Sequence, residues 1–438
     1  MTMQRTRLGR IMTSAKNWLP RRAGIAAAGL AALVGAWGAD DWPQWRGPTR
    51  DGRAAPGAPV PVRLPGEFTA LWRISVGGGF SSPVVAGNIL IYSDEAGGKE
   101  VAHAVEAATG KELWRAPYAE VFGDNWGQGP RSTPFVDGDR VYVQACNGEF
   151  RCLRLSDGRE IWRTSFEKDF GVKFLGSQSR EGTATRRGNN GCGVIDGSRL
   201  FLPVGGQNQN SLAAFDKLTG RVLWKAGNDE AAYSSLVVAE LAGVRQLVAF
   251  TADALCGAGL EDGRSLWRIP LKTGAKRHAA TPVINGDLVS VNSHTFGLAC
   301  FKISREETVW KADAAWSNRQ LKINLATPVL VDGHLYTLGA NRDLVCVNAA
   351  TGEVKWSQPG FGRGEKDNAA IIVTGTNLLV LTEAGQLFLI KATPGKYHEL
   401  GRLQVCGSNW CHPAYAGGRL FFRDQKELWA MDLSGCFD

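Results

Sequence analysis

Short apolar runs recur along the chain, each opened by a similar polar phrase. Ser82-Pro83-Val84-Val85-Ala86-Gly87 matches Thr133-Pro134-Phe135-Val136-Asp137-Gly138, Thr281-Pro282-Val283-Ile284-Asn285-Gly286 and Thr327-Pro328-Val329-Leu330-Val331-Asp332-Gly333. An apolar run follows each phrase, such as Leu90-Ile91-Tyr92 or Val141-Tyr142-Val143. Asp-Gly and Asn-Gly between apolar runs signal tight hairpins, so the pattern predicts strands joined by two-residue turns.

The same units close alike. Ala108-Thr109-Gly110-Lys111-Glu112-Leu113-Trp114 returns as Ser156-Asp157-Gly158-Arg159-Glu160-Ile161-Trp162, Leu218-Thr219-Gly220-Arg221-Val222-Leu223-Trp224, Glu261-Asp262-Gly263-Arg264-Ser265-Leu266-Trp267 and Ala350-Thr351-Gly352-Glu353-Val354-Lys355-Trp356. A degraded copy ends at Trp310, and Trp72 closes a matching strand with no repeat before it. From Trp72 to Trp356 the intervals are 42, 48, 62, 43, 43 and 46 residues. A fixed period of this size marks a repeat architecture. Four antiparallel strands per unit describe a propeller blade.

The ends set the count. Leu428-Trp429-Ala430-Met431-Asp432 reads as a third strand, matching Leu212-Ala213-Ala214-Phe215-Asp216, with no fourth after it. The orphan strand from Phe68 to Ile74 supplies the fourth, which removes two open edges. The expectation is an all-β fold: an eight-bladed β-propeller of four-stranded antiparallel blades over 67–438, closed by an N-terminal strand. A count of seven stays open, because the unit near Thr393 has lost its tryptophan.

Charge changes the picture at one end only. Of the net +8, six charges lie in residues 1–38, which carry no acid and leave +2 for the rest. A near-neutral body argues against a nucleic-acid partner. The basic start, the uncharged run Ala23 to Ala36 and the small residues before Asp40 have the layout of a secretory signal peptide over 1–39. A periplasmic or secreted bacterial protein follows, with a 40–66 extended segment before the propeller and no integral membrane segment after signal cleavage. Arg21-Arg22 leaves the export route open between the general and twin-arginine pathways.

The turn-plus-tryptophan signature resembles the repeat of quinoprotein dehydrogenases, whose eight-bladed propellers hold pyrroloquinoline quinone. Asp41-Trp42-Pro43-Gln44-Trp45-Arg46-Gly47-Pro48 is similar to the opening of exported bacterial quinone-binding-like propellers. The chain also resembles the propeller scaffold lipoprotein of the outer-membrane β-barrel assembly machine. The first resemblance implies three features of a quinone and calcium enzyme. One is a disulfide between adjacent cysteines, and no two cysteines here are adjacent. Another is a carboxylate base near a calcium ion; Asp124, Glu181, Asp229 and Asp367 are loop acids without a pattern. The last is a tryptophan floor, with Trp126, Trp316 and Trp410 as loop candidates.

Cysteines point elsewhere. Cys152, Cys300 and Cys346 each precede their unit's tryptophan by ten residues, in a slot that also holds Ala104 and Ala214. That substitution pattern predicts a tight buried site. Cys406 and Cys411 are close enough in sequence to bridge or to remain free. The long interval after Trp162 places Arg180 to Asn190 in a loop that is either functional or a solvated excursion.

The residues leading into each unit's first strand should ring the propeller axis. Read in order, they are Phe80, Arg131, Asn190, Tyr233, Ala279, Leu325, Asp367 and Trp410, with His278 beside Ala279 and the later positions uncertain by one. Their chemistry varies where the following Ser/Thr-Pro does not, as loops freed from packing do when they bind something. Arg131, Tyr233, His278 and Trp410 are the candidate binding residues. Trp72, Trp114, Trp162, Trp224, Trp267, Trp310 and Trp356 are the structural repeat positions, expected to bury alike between blades. The functional expectation is a non-catalytic binding or scaffold module with no cofactor, whose partner is a protein or envelope component. The alternative is a quinone- and calcium-dependent alcohol or sugar dehydrogenase.

Overall fold

The computed structural model describes residues 38, 41–124, 126–172, 188–273, 276, 278–323, 325–339, 341–362 and 368–437. Apart from Gly38, the expected signal peptide lies outside them, as do Glu181, Asp367 and most of the long loop after Trp162.

Eight four-stranded antiparallel sheets follow one another. Blades 1 to 7 span residues 84–120, 135–165, 194–226, 237–270, 283–318, 329–358 and 369–404. Blade 8 takes three strands from 414–432, and Ala70–Ser75 completes it by pairing with Glu427–Asp432, Trp72 opposite Ala430. The fold is the eight-bladed propeller the repeats predict. First strands of adjacent blades touch, as Val84–Ala86 does Phe135–Asp137 and Ala414–Ala416, so they are the inner strands. The apolar core is a series of layers between blades, because each sheet buries both faces against its neighbours.

The turn-plus-tryptophan repeat is an interblade lock. Each turn glycine sits in the left-handed region at φ +69 to +76°, which only glycine adopts freely. A Cβ on Gly110, Gly158, Gly220, Gly263 or Gly352 would come within 2.5–2.9 Å of the preceding blade's indole. Each indole Nε1 then donates to a carbonyl of that same turn: Trp72 to Ala107, Trp114 to Leu155, Trp162 to Lys217 and Trp224 to Leu260, at 2.7–3.0 Å. Trp356 bonds Thr393 likewise.

Blade 5 corrects the sequence register. The lock there is Trp316, whose Nε1 reaches Ala349 O at 3.0 Å and whose ring lies on Gly352. Trp310 stands at an outer position opposite Arg305, with the guanidinium 5.6 Å from its ring. The reason is a longer hairpin, Gly297–Glu306 with Val309–Asn318, which carries the turn outward. Trp267 therefore meets no Thr-Gly turn, and its Nε1 donates to Gln246 Oε1 of its own blade at 2.6 Å.

The cysteine slot follows from the same pairing. Cys152, Cys300 and Cys346 oppose Trp162, Trp316 and Trp356 as Ala104 and Ala214 oppose Trp114 and Trp224, and all three thiols are fully buried. All nine cysteines are free, Cys406 and Cys411 included.

The segment after Asp41 crosses the axis. Trp42 bridges Val85 of blade 1, and Pro43 O accepts from Val136 N of blade 2 at 2.8 Å. Trp45 Nε1 then donates to Thr281 Oγ1 before blade 5, and Arg46 Nη2 to Pro328 O before blade 6 at 2.7 Å. Arg53 bridges Val373 of blade 7, and Tyr415 Oη of blade 8 donates to Pro59 O. Reaching opposite blades in so few residues, this segment plugs the centre.

Candidate functional site

Above the plug lies a cavity of about 330 Å³. Every blade contributes to its wall through the connector into its inner strand: Phe80, Arg131, Asn190, Tyr233, Ala279, Leu325, Asn368 and Trp410. Seven of the eight positions read from the sequence line it; the eighth, Asp367, lies outside the described residues, and its neighbour Asn368 is in the wall. Trp45 and Trp126 join it, as do Thr133, Cys192 and Ser235 from the adjoining Ser/Thr slot.

That slot explains the repeated hydroxyl. Thr281 N donates to Thr327 Oγ1, Cys192 N to Ser235 Oγ and His412 N to Ser82 Oγ, at 2.8–3.1 Å. At these three junctions a blade hands a backbone N–H to the next blade's hydroxyl beside the axis, which satisfies buried donors that no strand ladder reaches.

Arg131 and Trp410 are held from behind. Asp124, on the hairpin Gly123–Asp124 with Gly127–Gln128, has a wholly buried side chain whose Oδ1 accepts from Arg131 Nη2 at 2.8 Å. The guanidinium lies between the rings of Phe80 and Phe122, at 5.4 and 5.0 Å. Trp410 stacks on Phe80 at 5.1 Å, and its Nε1 donates to Glu383 Oε1 at 3.0 Å. Trp126 leans on Trp410 at 6.0 Å. These partners fix both groups without a ligand.

His278 does not reach the cavity. It is fully buried, stacked at 4.1 Å on Phe250, with Nδ1–H donating to Thr251 O, and burial holds its pKa below the usual imidazole range. Its neighbour Ala279 faces the cavity, so the candidate cluster reduces to Arg131, Tyr233 and Trp410. A second histidine, which the sequence did not single out, sits at the plug. His412 stacks on Trp42 and meets Trp45 edge-on, and burial beside Arg46 lowers its pKa to about 4. A histidine in the Ser/Thr slot of the last blade was the available signal.

The other loop candidates are engaged in structure. Asp229 accepts from Arg268 at 2.6 Å and from Thr251 at 2.8 Å, and Trp316 is the blade 5 lock. The run Gly77-Gly78-Gly79 is a strand connector, with Gly77 N bound to Asp94 Oδ2.

The family model for outer membrane protein assembly factor BamB matches residues 69–180, 97–324 and 314–435. The chain belongs to this family. It is 24% identical over 200 residues to BamB of Legionella pneumophila, which spans 44% of this chain and about half, 48%, of that relative. Against BamB of Shewanella oneidensis it is 22% identical, over 67% of this chain and 71% of the relative. The crystal structure of BamB from Moraxella catarrhalis superposes at a TM-score of 0.56, with 13% identity, over 84% of this chain and 98% of that one. Quinohemoprotein alcohol dehydrogenase ADHIIG from Pseudomonas putida HK5 superposes at 0.61 with 10% identity, over 91% and 81% of the two chains, a likeness of fold alone.

The donor set bears on a quinone and calcium. Among the described residues the cavity wall carries no carboxylate, and no three His, Cys, Asp or Glu side chains stand together as metal ligands. Asp124 is turned to Arg131 and Glu383 to Trp410. Calcium takes six to eight oxygen ligands, with carboxylates prominent, and the described wall does not fit a calcium-bound quinone.

Proposed function

We propose that the protein is an exported, non-catalytic binding and scaffold module of the bacterial envelope, with the axial mouth as its binding surface. The observation that carries this reading is the mouth itself. One connector from each blade converges on an aromatic-lined cavity, and among the described residues the only charged wall residue, Arg131, is already paired. Such a wall binds and orients, and its described residues offer neither a base nor an open metal position for turnover. Membership of the BamB family supports a scaffold role in the envelope, and the leader-like residues 1–39 support export. No helix among the described residues is long and apolar enough to cross a membrane.

The test is spectroscopic. Purified protein incubated with pyrroloquinoline quinone and calcium, then desalted, should keep no quinone absorbance and oxidise no alcohol or sugar with an artificial dye. A retained quinone band with dye-linked oxidation overturns the reading in favour of a dehydrogenase.

A further inference from the structure

We infer that the mouth cavity is a sugar site, holding one or two pyranose rings of a neutral envelope glycan; this rests on the mouth being the binding surface proposed above. A pyranose has two chemically distinct aspects: flat C–H faces that pack on aromatic rings, and an edge of hydroxyls that both donate and accept hydrogen bonds.

The cavity wall offers both. Trp45, Phe80, Trp126, Tyr233 and Trp410 are all half-buried at the wall, so their rings are neither sealed in the core nor fully solvated. The indole N–H of Trp410 is committed to Glu383 and that of Trp45 to Thr281, each at 3.0 Å. With their polar tips anchored, these indoles keep fixed ring planes and present carbon surface. Trp126 leans on Trp410 at 44°, which forms a corner of two aromatic surfaces. Ring planes set in advance lower the ordering cost of stacking a ligand.

Between the rings the wall carries neutral hydrogen-bonding side chains beside Ala279, Leu325 and the paired Arg131. Asn190 and Asn368 supply amides, while Thr133 and Ser235 supply hydroxyls. Amides and hydroxyls donate and accept alike, as sugar hydroxyls require.

Charge and size exclude the competing ligand classes. Arg131 stands in the wall as half of an ion pair with the buried Asp124 carboxylate, so it offers no net charge to draw a cationic or an anionic ligand. A cavity of about 330 Å³, with Trp45 in its wall, is at the small end of ligand sites and matches a small ligand better than a polypeptide segment.

The experiment pairs a glycan array of bacterial envelope and plant saccharides with tryptophan-fluorescence titration of the purified chain, using cellobiose, chitobiose and any array hit. Tetramethylammonium and benzoate serve as charged probes. Expected is a saturable response to a neutral saccharide, weakened about tenfold or more in Trp126→Ala and in Asn368→Ala. Trp126 lies on a surface hairpin and Asn368 on a connector, both outside the four-stranded sheets, and Trp310→Ala on the outer wall should leave affinity unchanged. A blank array, or a response confined to tetramethylammonium or benzoate, overturns the inference. If mouth substitutions still abolish capture of an envelope partner in that case, the sugar assignment fails while the binding surface stands.

Discussion

Gly352 lies flat against Trp316: a methyl group on that glycine would stand 2.5 Å from Cε3 of the indole, and its φ is +76°. Two independent penalties therefore meet at one residue. Gly352→Ala should destabilise the fold by more than ~1 kcal/mol, since alanine is strained at positive φ even where space is open. Urea midpoints of the variant and the parent check it. An unchanged midpoint would mean that the turn does not rest on the indole.

The lock also separates tryptophans that look alike in sequence. Trp224→Ala removes a buried ring and its bond to Leu260, and should cost roughly 3–5 kcal/mol. Trp310→Ala removes an outer-strand ring and should cost far less, within roughly 1 kcal/mol. Equal losses at the two positions would restore Trp310 to the repeat and remove Trp316.

His412 makes stability fall in mild acid. Its folded pKa of about 4 lies below the ordinary imidazole value of 6.5, so between these limits the unfolded chain binds a proton that the folded chain refuses. Stability from this group is complete above pH 6.5 and is lost as pH falls toward 4, by about 3 kcal/mol in all. Denaturation at pH 7 and 4.5 should show a smaller difference for His412→Gln than for the parent. Parallel losses would place the acid sensitivity elsewhere.

Glu100 acts in the opposite direction. Its carboxyl is fully buried, and burial raises its pKa from 4.5 to about 7. The folded state favours the protonated acid, so stability is complete below pH 4.5 and declines as pH rises toward 7. Glu100→Gln should gain on the parent at pH 8 relative to pH 4. A gain that is the same at both values would show that Glu100 does not titrate in this range.

What the sequence made legible was whatever repeats. The Asp/Asn-Gly hairpins, the Thr-Gly turn and the shared last strand gave blade number and closure, and register alone brought Phe80, Arg131, Asn190, Tyr233, Ala279, Leu325 and Trp410 to one cavity. Departures from the repeat were harder to read. The longer hairpin of blade 5 moves the lock from Trp310 to Trp316, because spacing cannot distinguish a lengthened strand from a degraded turn. His278 adjoins a wall position on the connector, but its ring packs into the core against Phe250, and an irregular connector has no periodicity from which that could be read. Trp45 precedes every repeat, so no register could assign it to the wall of the cavity.

The proposed binding surface is the axial mouth. Its most direct measurement is capture of partners from native envelope by the parent and by a variant with Arg131, Tyr233 and Trp410 all changed to Ala, with thermal melts recorded on both. Capture should fall about tenfold or more while the variant still melts cooperatively. Undiminished capture by a folded variant would contradict it and move the binding surface away from the propeller axis.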